Sequence, residues 1–161
     1  MGVDIILKIV LKKATEEDAS LIFDMQQKAF RPLLAKYRDF DTNPANESID
    51  KVITRIKNTN GEFLKIVVDD IIVGAICVVN KGSAHWISPM FILPEYQGKG
   101  IAQKTIISVE ERFMEATSWE LATILEEGRN CYLYEKMGYV KTSVTKEINN
   151  HTTLIFYRKE I

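Results

Sequence analysis

Two short segments of the 161-residue chain have residue types and spacing that suit chemistry. The first is Gln97-Gly98-Lys99-Gly100-Ile101-Ala102-Gln103, where an extended run ends and an apolar-periodic helix begins. A turn of this kind gathers unpaired backbone N–H groups and the positive end of a helix at one point, which favours an anion. Gly98 and Gly100 remove side chains that would block the approach of a pyrophosphate, Ala102 keeps the first turn narrow, and Lys99 adds a flexible positive charge. A strand-to-helix turn that needs glycine only for its backbone angles is the plainer reading of the same residues. Two other nucleotide signatures fit less well. A dinucleotide fingerprint wants a third glycine where Gln103 stands, and a Walker loop wants Gly-Lys-Ser/Thr.

The second segment is Asn130-Cys131-Tyr132-Leu133-Tyr134-Glu135-Lys136-Met137-Gly138-Tyr139. The Tyr134 phenol keeps its proton at neutral pH, so it can donate a hydrogen bond or a proton, while packing of its ring in an amphipathic helix is the ordinary alternative. Cys131 has no histidine near it in sequence to activate it, which makes it a small buried hydrophobe rather than a nucleophile.

The elements that must position these segments follow from periodicity. Ile5 to Leu11 reads as a first strand, and Thr15-Glu16-Glu17-Asp18 as the start of a helix running to Phe30, interrupted by Arg31-Pro32. Asp39 to Asn46 reads as a loop, and Ser48 to Lys57 as a second helix. Glu62–Val68 and Ile71–Val79, rich in β-branched residues, form a hairpin around Asp69-Asp70, followed by an extended run from His85 to Leu93. Gly100 to about Thr117 is the long helix, with Ile101, Thr105, Ile106, Val109, Phe113 and Met114 on its apolar side. A strand over Trp119–Leu125, a short helix over Arg129–Met137 ended by Gly138, and a terminal hairpin over 139–148 and 152–159 complete the chain. The reading is one α/β domain over residues 1–161 with a mixed sheet and no repeats.

Composition narrows the function classes. Lys and Arg total 21 against 22 Asp and Glu, so no overall positive field draws in a nucleic-acid backbone, and no nucleic-acid partner is expected. Cys77 and Cys131 form no CxxC pair, and Ile5–Leu11 is too short to span a bilayer and lacks a cleavage site. A cytoplasmic protein without a membrane partner is the expectation.

Pro94-Glu95-Tyr96-Gln97-Gly98-Lys99-Gly100-Ile101-Ala102 resembles the Gln/Arg-x-x-Gly-x-Gly/Ala signature of the GNAT superfamily of acetyl-CoA-dependent N-acetyltransferases, and it matches every defining position. Tyr134-Glu135-Lys136-Met137-Gly138-Tyr139 is similar to a run these enzymes often carry, and the order of elements is that of their mixed, mostly antiparallel sheet flanked by helices. The resemblance implies that acetyl-CoA is the cosubstrate and a primary amine of a small molecule or peptide the acceptor, in a direct transfer without a metal. It implies that the amides of Gly98, Lys99, Gly100, Ile101, Ala102 and Gln103 hold the pyrophosphate and that the backbone of Met90, Phe91 and Ile92 pairs with the pantetheine arm. Tyr134 would protonate the leaving thiolate. Many relatives place a CoA-contacting Asn seven residues before that Tyr, where this chain has Glu127. Asn130, four before it, is either that contact or a helix cap.

The amine must also lose a proton. His85, Glu120, Glu126 and Glu127 are the candidates for its base, and His85 and Glu120 are assigned to the catalytic set beside Tyr134. The stretch from Phe30 to Asn46, with Tyr37, Arg38, Asp39, Asp41 and Asn43, is expected to line the acceptor side. A catalytically silent module that binds CoA or another ligand is the competing reading, and retention of Tyr134 argues against it. A homodimer is the expected assembly, although no stripe in the sequence demands it.

Overall fold

In a computed structural model, which describes residues 8–161, seven strands form one sheet in the order β1-β2-β3-β4-β5-β7-β6. The strands are β1 (Ile9–Lys13), β2 (Gly61–Val68), β3 (Ile71–Asn80), β4 (His85–Ile92), β5 (Ser118–Ile124), β6 (Val140–Asn149) and β7 (Thr152–Glu160). The helices are α1 (Ala19–Tyr37), α2 (Ile49–Lys57), α3 (Ile101–Arg112) and α4 (Gly128–Lys136). The part of the expected first strand before Lys8 lies outside the described residues.

Alternation along the strands divides the core into two layers. Leu64 and Ile66 on β2, Ile76 and Val78 on β3, and Trp119 and Leu121 on β5 pack with Ile101, Ile106 and Val109 of α3 and Cys131 of α4. Phe63, Ala75, Cys77 and Phe91 face the other way, onto Ala19, Ile22 and Met25 of α1 and Val52 of α2. The β2–β3 hairpin turns at Asp69 and Asp70, both at positive φ (50° and 62°), the geometry of a two-residue turn that matches strand twist. Among the described residues no helix is long and apolar enough to cross a membrane.

Two helices depart from the sequence reading. The first does not stop at Arg31-Pro32; α1 continues through Pro32 to Tyr37. A mid-helix proline forfeits one backbone bond, and tertiary contacts offset that loss here. Tyr37 is buried, the left-handed Arg38 donates its N–H to Leu34 O at 2.8 Å, and Tyr37 O accepts from Asn149 Nδ2 (2.8 Å) and Thr152 Oγ1 (3.0 Å) at the tip of the β6–β7 hairpin. Conversely, α3 ends at Arg112 rather than near Thr117. Phe113 leaves helical geometry to set its ring against His85 and Trp119, and Met114 is 85% exposed although it continues the apolar spacing.

The feature that makes room for a site is the junction of β4 and β5. These neighbours run parallel and are paired only at His85↔Trp119 and Trp86↔Glu120. Beyond Trp86, β4 continues against β3, while β5 continues against β7 as far as Ile124↔Leu154. A bulge starts the divergence: Ile76 faces Met90 and Val78 faces Ile87, so Ser88 and Pro89 together oppose Cys77. Proline has no N–H to give a ladder and is tolerated at such a position.

Candidate active site in the split sheet

The split between β4 and β5 opens into a cavity of about 850 Å³ that passes from the α3/α4 face of the sheet to the α1 face. One wall is β4 from Trp86 to Ile92, and the other is Leu121, Ala122, Thr123 and Ile124 of β5. The β4 edge that faces β5 is unpaired from Ile87 to Ile92, so its main-chain groups meet the cavity instead of a neighbouring strand.

The turn after β4 supplies the second feature. Gln97 Nε2 donates to Ile92 O at 2.9 Å and fixes the exit of the strand. Gly98 and Gly100 have φ of 76° and 78°, which side-chain-bearing residues rarely adopt, and a Cβ at either would meet nothing within 4 Å. The glycines therefore serve both the backbone angle and an open approach. Gly100 is the N-cap of α3, and Lys104 is the first residue of that helix whose N–H reaches a backbone acceptor, Gly100 O at 3.2 Å. The N–H groups before it, down to Gly98, are left to whatever occupies the cavity beside Gly98, Gly100, Ile101, Ala102 and Gln103. Lys99 does not join them; it is exposed, and its ammonium lies 5.6 Å from the centre of the Tyr96 ring.

Tyr134 lines the cavity from α4, with its ring 6.2 Å from that of Tyr139 and 6.1 Å from that of Tyr157. Both neighbours have committed hydroxyls: Tyr139 donates to Glu110 Oε2 at 3.0 Å and Tyr157 to Glu135 Oε2 at 2.7 Å. The Tyr134 hydroxyl has no hydrogen-bond partner among the described residues and so is free for a ligand. Burial, followed by the influence of Cys131, pushes its pKa well above that of an ordinary phenol and keeps it a proton donor. Cys131 is buried, with Sγ 3.7 Å from Ile124 O and Leu125 O, and is not on the cavity wall.

Of the four candidate bases, only Glu127 lies on the cavity wall. Its side chain is 16% exposed and has a long, 3.9 Å pairing with Lys36. His85 faces the other way: alternation turns it from Trp86 to the α3 face, where it is buried between Phe113 and Trp119 with Nε2 3.4 Å from Glu115 Oε1. Glu120 sits at the closed end of the split, ion-paired with Arg158. Glu126 accepts from Thr153 N at 2.6 Å. These geometries place His85 and Glu120, assigned to the catalytic set from sequence, outside the cavity.

Met90, Phe91, Ile92, Gln97 and Asn130 all line the cavity. Asn130 is inside the first turn of α4, whose N-cap is Glu127, so it is not the helix cap. Of the residues named in the stretch from Phe30 to Asn46, Phe30, Asp39 and Asn43 reach the wall, joined there by Leu33 and Lys36, while Tyr37, Arg38 and Asp41 do not. Asp39 is buried and occupied internally, accepting from Thr42 N (2.9 Å) and the Thr42 hydroxyl.

A family model described as an acetyltransferase (GNAT) domain matches residues 10–161. The chain belongs to the GNAT acetyltransferase family. Its GNAT fold is seen again in solved structures. The PaiA N-acetyltransferase of Thermoplasma acidophilum, in complex with coenzyme A, superposes with a TM-score of 0.77 at 15% identity, covering 96% of this chain and 99% of that one. The spermidine N-acetyltransferase of Vibrio cholerae, in complex with CoA and spermine, gives 0.75 at 17% identity and covers 94% and 95%. The ribosomal-protein-S18-alanine N-acetyltransferase of Escherichia coli gives 0.72 at 12% identity and covers 96% and 94%. No curated protein matches the chain in sequence. Within this GNAT fold, the cavity residues not singled out from sequence include Trp86, Leu154 and Phe156, beside the β5 wall and the side chains of Leu33, Lys36, Arg129 and Lys146. The period of two in Leu154 and Phe156 was a signal that they share a face, but not that β5 would leave that face open.

Proposed function

We propose that the protein transfers the acetyl group of acetyl-CoA to a primary amine within a ternary complex. The observation that carries this reading is the unpaired edge of β4 beside the N–H cluster of the Gly98–Gln103 turn. An extended, amide-bearing pantetheine arm adds to such an edge as a strand would, and the pyrophosphate meets the start of α3. The residues on the wall fit that group: Met90 to Ile92 for the arm, Gly98 and Gly100 to Gln103 for the phosphates, and Asn130 and Tyr134 along α4.

In the reaction the amine nitrogen attacks the thioester carbonyl, the C–N bond forms, the C–S bond breaks, and the thiolate leaves with CoA. An alkylamine is neutral in only about one molecule in a few thousand at pH 7, so a proton must first be removed. Glu127 is the carboxylate on the wall that is not tied to a protein donor at short range, and it receives this proton, directly or through water. Tyr134 gives its proton to the departing sulfur. The transient oxyanion is met by an N–H of the β4 edge, which is already oriented by the sheet. Most of the acceleration comes from alignment of amine and thioester, and each proton-transfer residue adds about 10²-fold or more.

The test is a calorimetric and thermal-shift titration with acetyl-CoA and CoA, followed by thiol-release assays over a set of amines. Binding to the native state raises the melting temperature. Absence of a shift with saturating acetyl-CoA would remove the basis of this reading.

A further inference from the structure

The acceptor side of the cavity indicates which amines fit. On the α1 face the split is bounded by Phe30 and Leu33 of α1, Trp86 of β4, and Leu154 and Phe156 of β7. Trp86 and Phe156 stand 5.9 Å apart between ring centres, and Phe30 meets Phe91 edge-on at 5.9 Å. Side chains opposite one another across the split are thus aromatic or aliphatic, and all five are partly exposed to the cavity rather than sealed in the core.

The charges on the wall are unlike those a polycation needs. Lys36, Arg129 and Lys146 are set against two carboxylates, Asp39 and Glu127. Asp39 is held by two hydrogen bonds from Thr42, whereas Glu127 has only a long pairing with Lys36, so Glu127 is the carboxylate of the two better placed to meet an ammonium. A polyamine would bring two or three further positive charges to a wall that already holds three cations, and like charges at short range repel. An amine whose only positive charge is the reacting one, carried on an apolar ring, matches both the charge and the surface.

Resting on the acetyl-transfer reading, we propose that the acceptor is a monoamine borne on an aromatic or similarly flat apolar body. The body lies between the Trp86–Phe156 side and the Phe30–Leu33 side, with its ammonium directed to Glu127. Ring-to-ring contact and removal of apolar surface from water hold the body, Glu127 meets its one charge, and the three cations of the wall disfavour further ones.

The experiment compares 2-phenylethylamine with spermidine as acceptors at saturating acetyl-CoA, with thiol release as the readout, on the wild type and on Phe156→Ala. The expected result is a kcat/KM at least about 10-fold higher for 2-phenylethylamine, the scale on which apolar pockets discriminate. Phe156→Ala is expected to raise KM for 2-phenylethylamine about 10-fold while leaving KM for ethylamine, which has no ring, within about 2-fold. Equal use of the two acceptors, preference for spermidine, or turnover of neither while acetyl-CoA still raises the melting temperature overturns the acceptor proposal and leaves the cosubstrate reading standing. Failure of acetyl-CoA to bind removes both. The wild-type preference decides the matter even if Phe156→Ala does not fold.

Discussion

Replacing Gly100 with alanine separates two roles that this glycine holds at once. Its φ of 78° is left-handed, and an alanine there costs about 1–2 kcal/mol of strain. For a domain of this size that is a fall in melting temperature of roughly 2–8 °C without ligand. The added Cβ meets no protein atom within 4 Å, so the fold has no steric objection to it. It does stand at the N-cap of α3, on the cavity wall, where the phosphates are proposed to approach the free N–H groups. A hydrogen bond to a charged group contributes about 1.5–3 kcal/mol, so obstructing even one weakens acetyl-CoA binding by about 10- to 100-fold beyond the strain effect. Gly82 gives the control: its φ is 84°, a Cβ there also meets nothing within 4 Å, and it lies in the β3–β4 turn outside the cavity. Calorimetry on both variants makes the comparison, with Gly82→Ala expected to lose stability but keep its affinity. If Gly100→Ala also keeps wild-type affinity, the argument that this turn holds the phosphates is refuted.

Other outcomes follow from the same geometry. Tyr134→Phe is expected to lower kcat by about 10²-fold with little change in acetyl-CoA affinity, because the hydroxyl is invoked only for the departing thiolate; single-turnover rates beside a binding titration check this. Burial lifts the Tyr134 pKa, so the acid form persists and kcat is expected to show no alkaline loss from this group up to about pH 10; a limb near pH 8 that vanishes in Tyr134→Phe would count against its role. Tyr139 is also pushed up, by burial first and then by Glu110. Above the ordinary phenol pKa the unfolded chain releases a proton that the folded one retains, so the stabilisation present below about pH 10 is lost as pH rises beyond it, and denaturant midpoints at pH 9 and 11 measure the fall. Both thiols are buried, and burial pushes that of Cys77 up to about 11, so alkylation of the native protein at pH 8 is expected to proceed only as fast as the chain opens; rapid labelling would contradict the packing described.

The reach of the sequence differed between the two segments and the space between them. The Gly98–Gly100 turn was legible because its chemistry is local: glycines, a strand end and a helix start lie within a few residues. Tyr134 was legible through its run of neighbours, and the β2–β3 hairpin through β-branched runs around two aspartates. His85 and Glu120 lie off the cavity wall, which the sequence could not show, because residue type says nothing about which face a strand presents or where two strands part. The extension of α1 past Pro32 depended on Asn149 and Thr152, more than a hundred residues away, reaching Tyr37 O. Glu127 stood in the sequence as one acid among several, and its distinction emerged only when the β4–β5 split set it on a wall the others do not reach.

The split has a consequence for how the molecule comes together. Strands β1 to β4 are contiguous in the sheet, as are β5, β7 and β6, and the two groups are joined across the seam by just two registered pairs. Within the groups, β2–β3, β3–β4 and β6–β7 join chain neighbours, while β1–β2 and β5–β7 close over intervening helices just as the β4–β5 seam closes over α3. The seam, with two registered pairs, is the thinnest line of the backbone network, and on the acetyl-CoA proposal a strand-like pantetheine arm lying in it would act as a suture, adding main-chain bonds where the sheet has fewest.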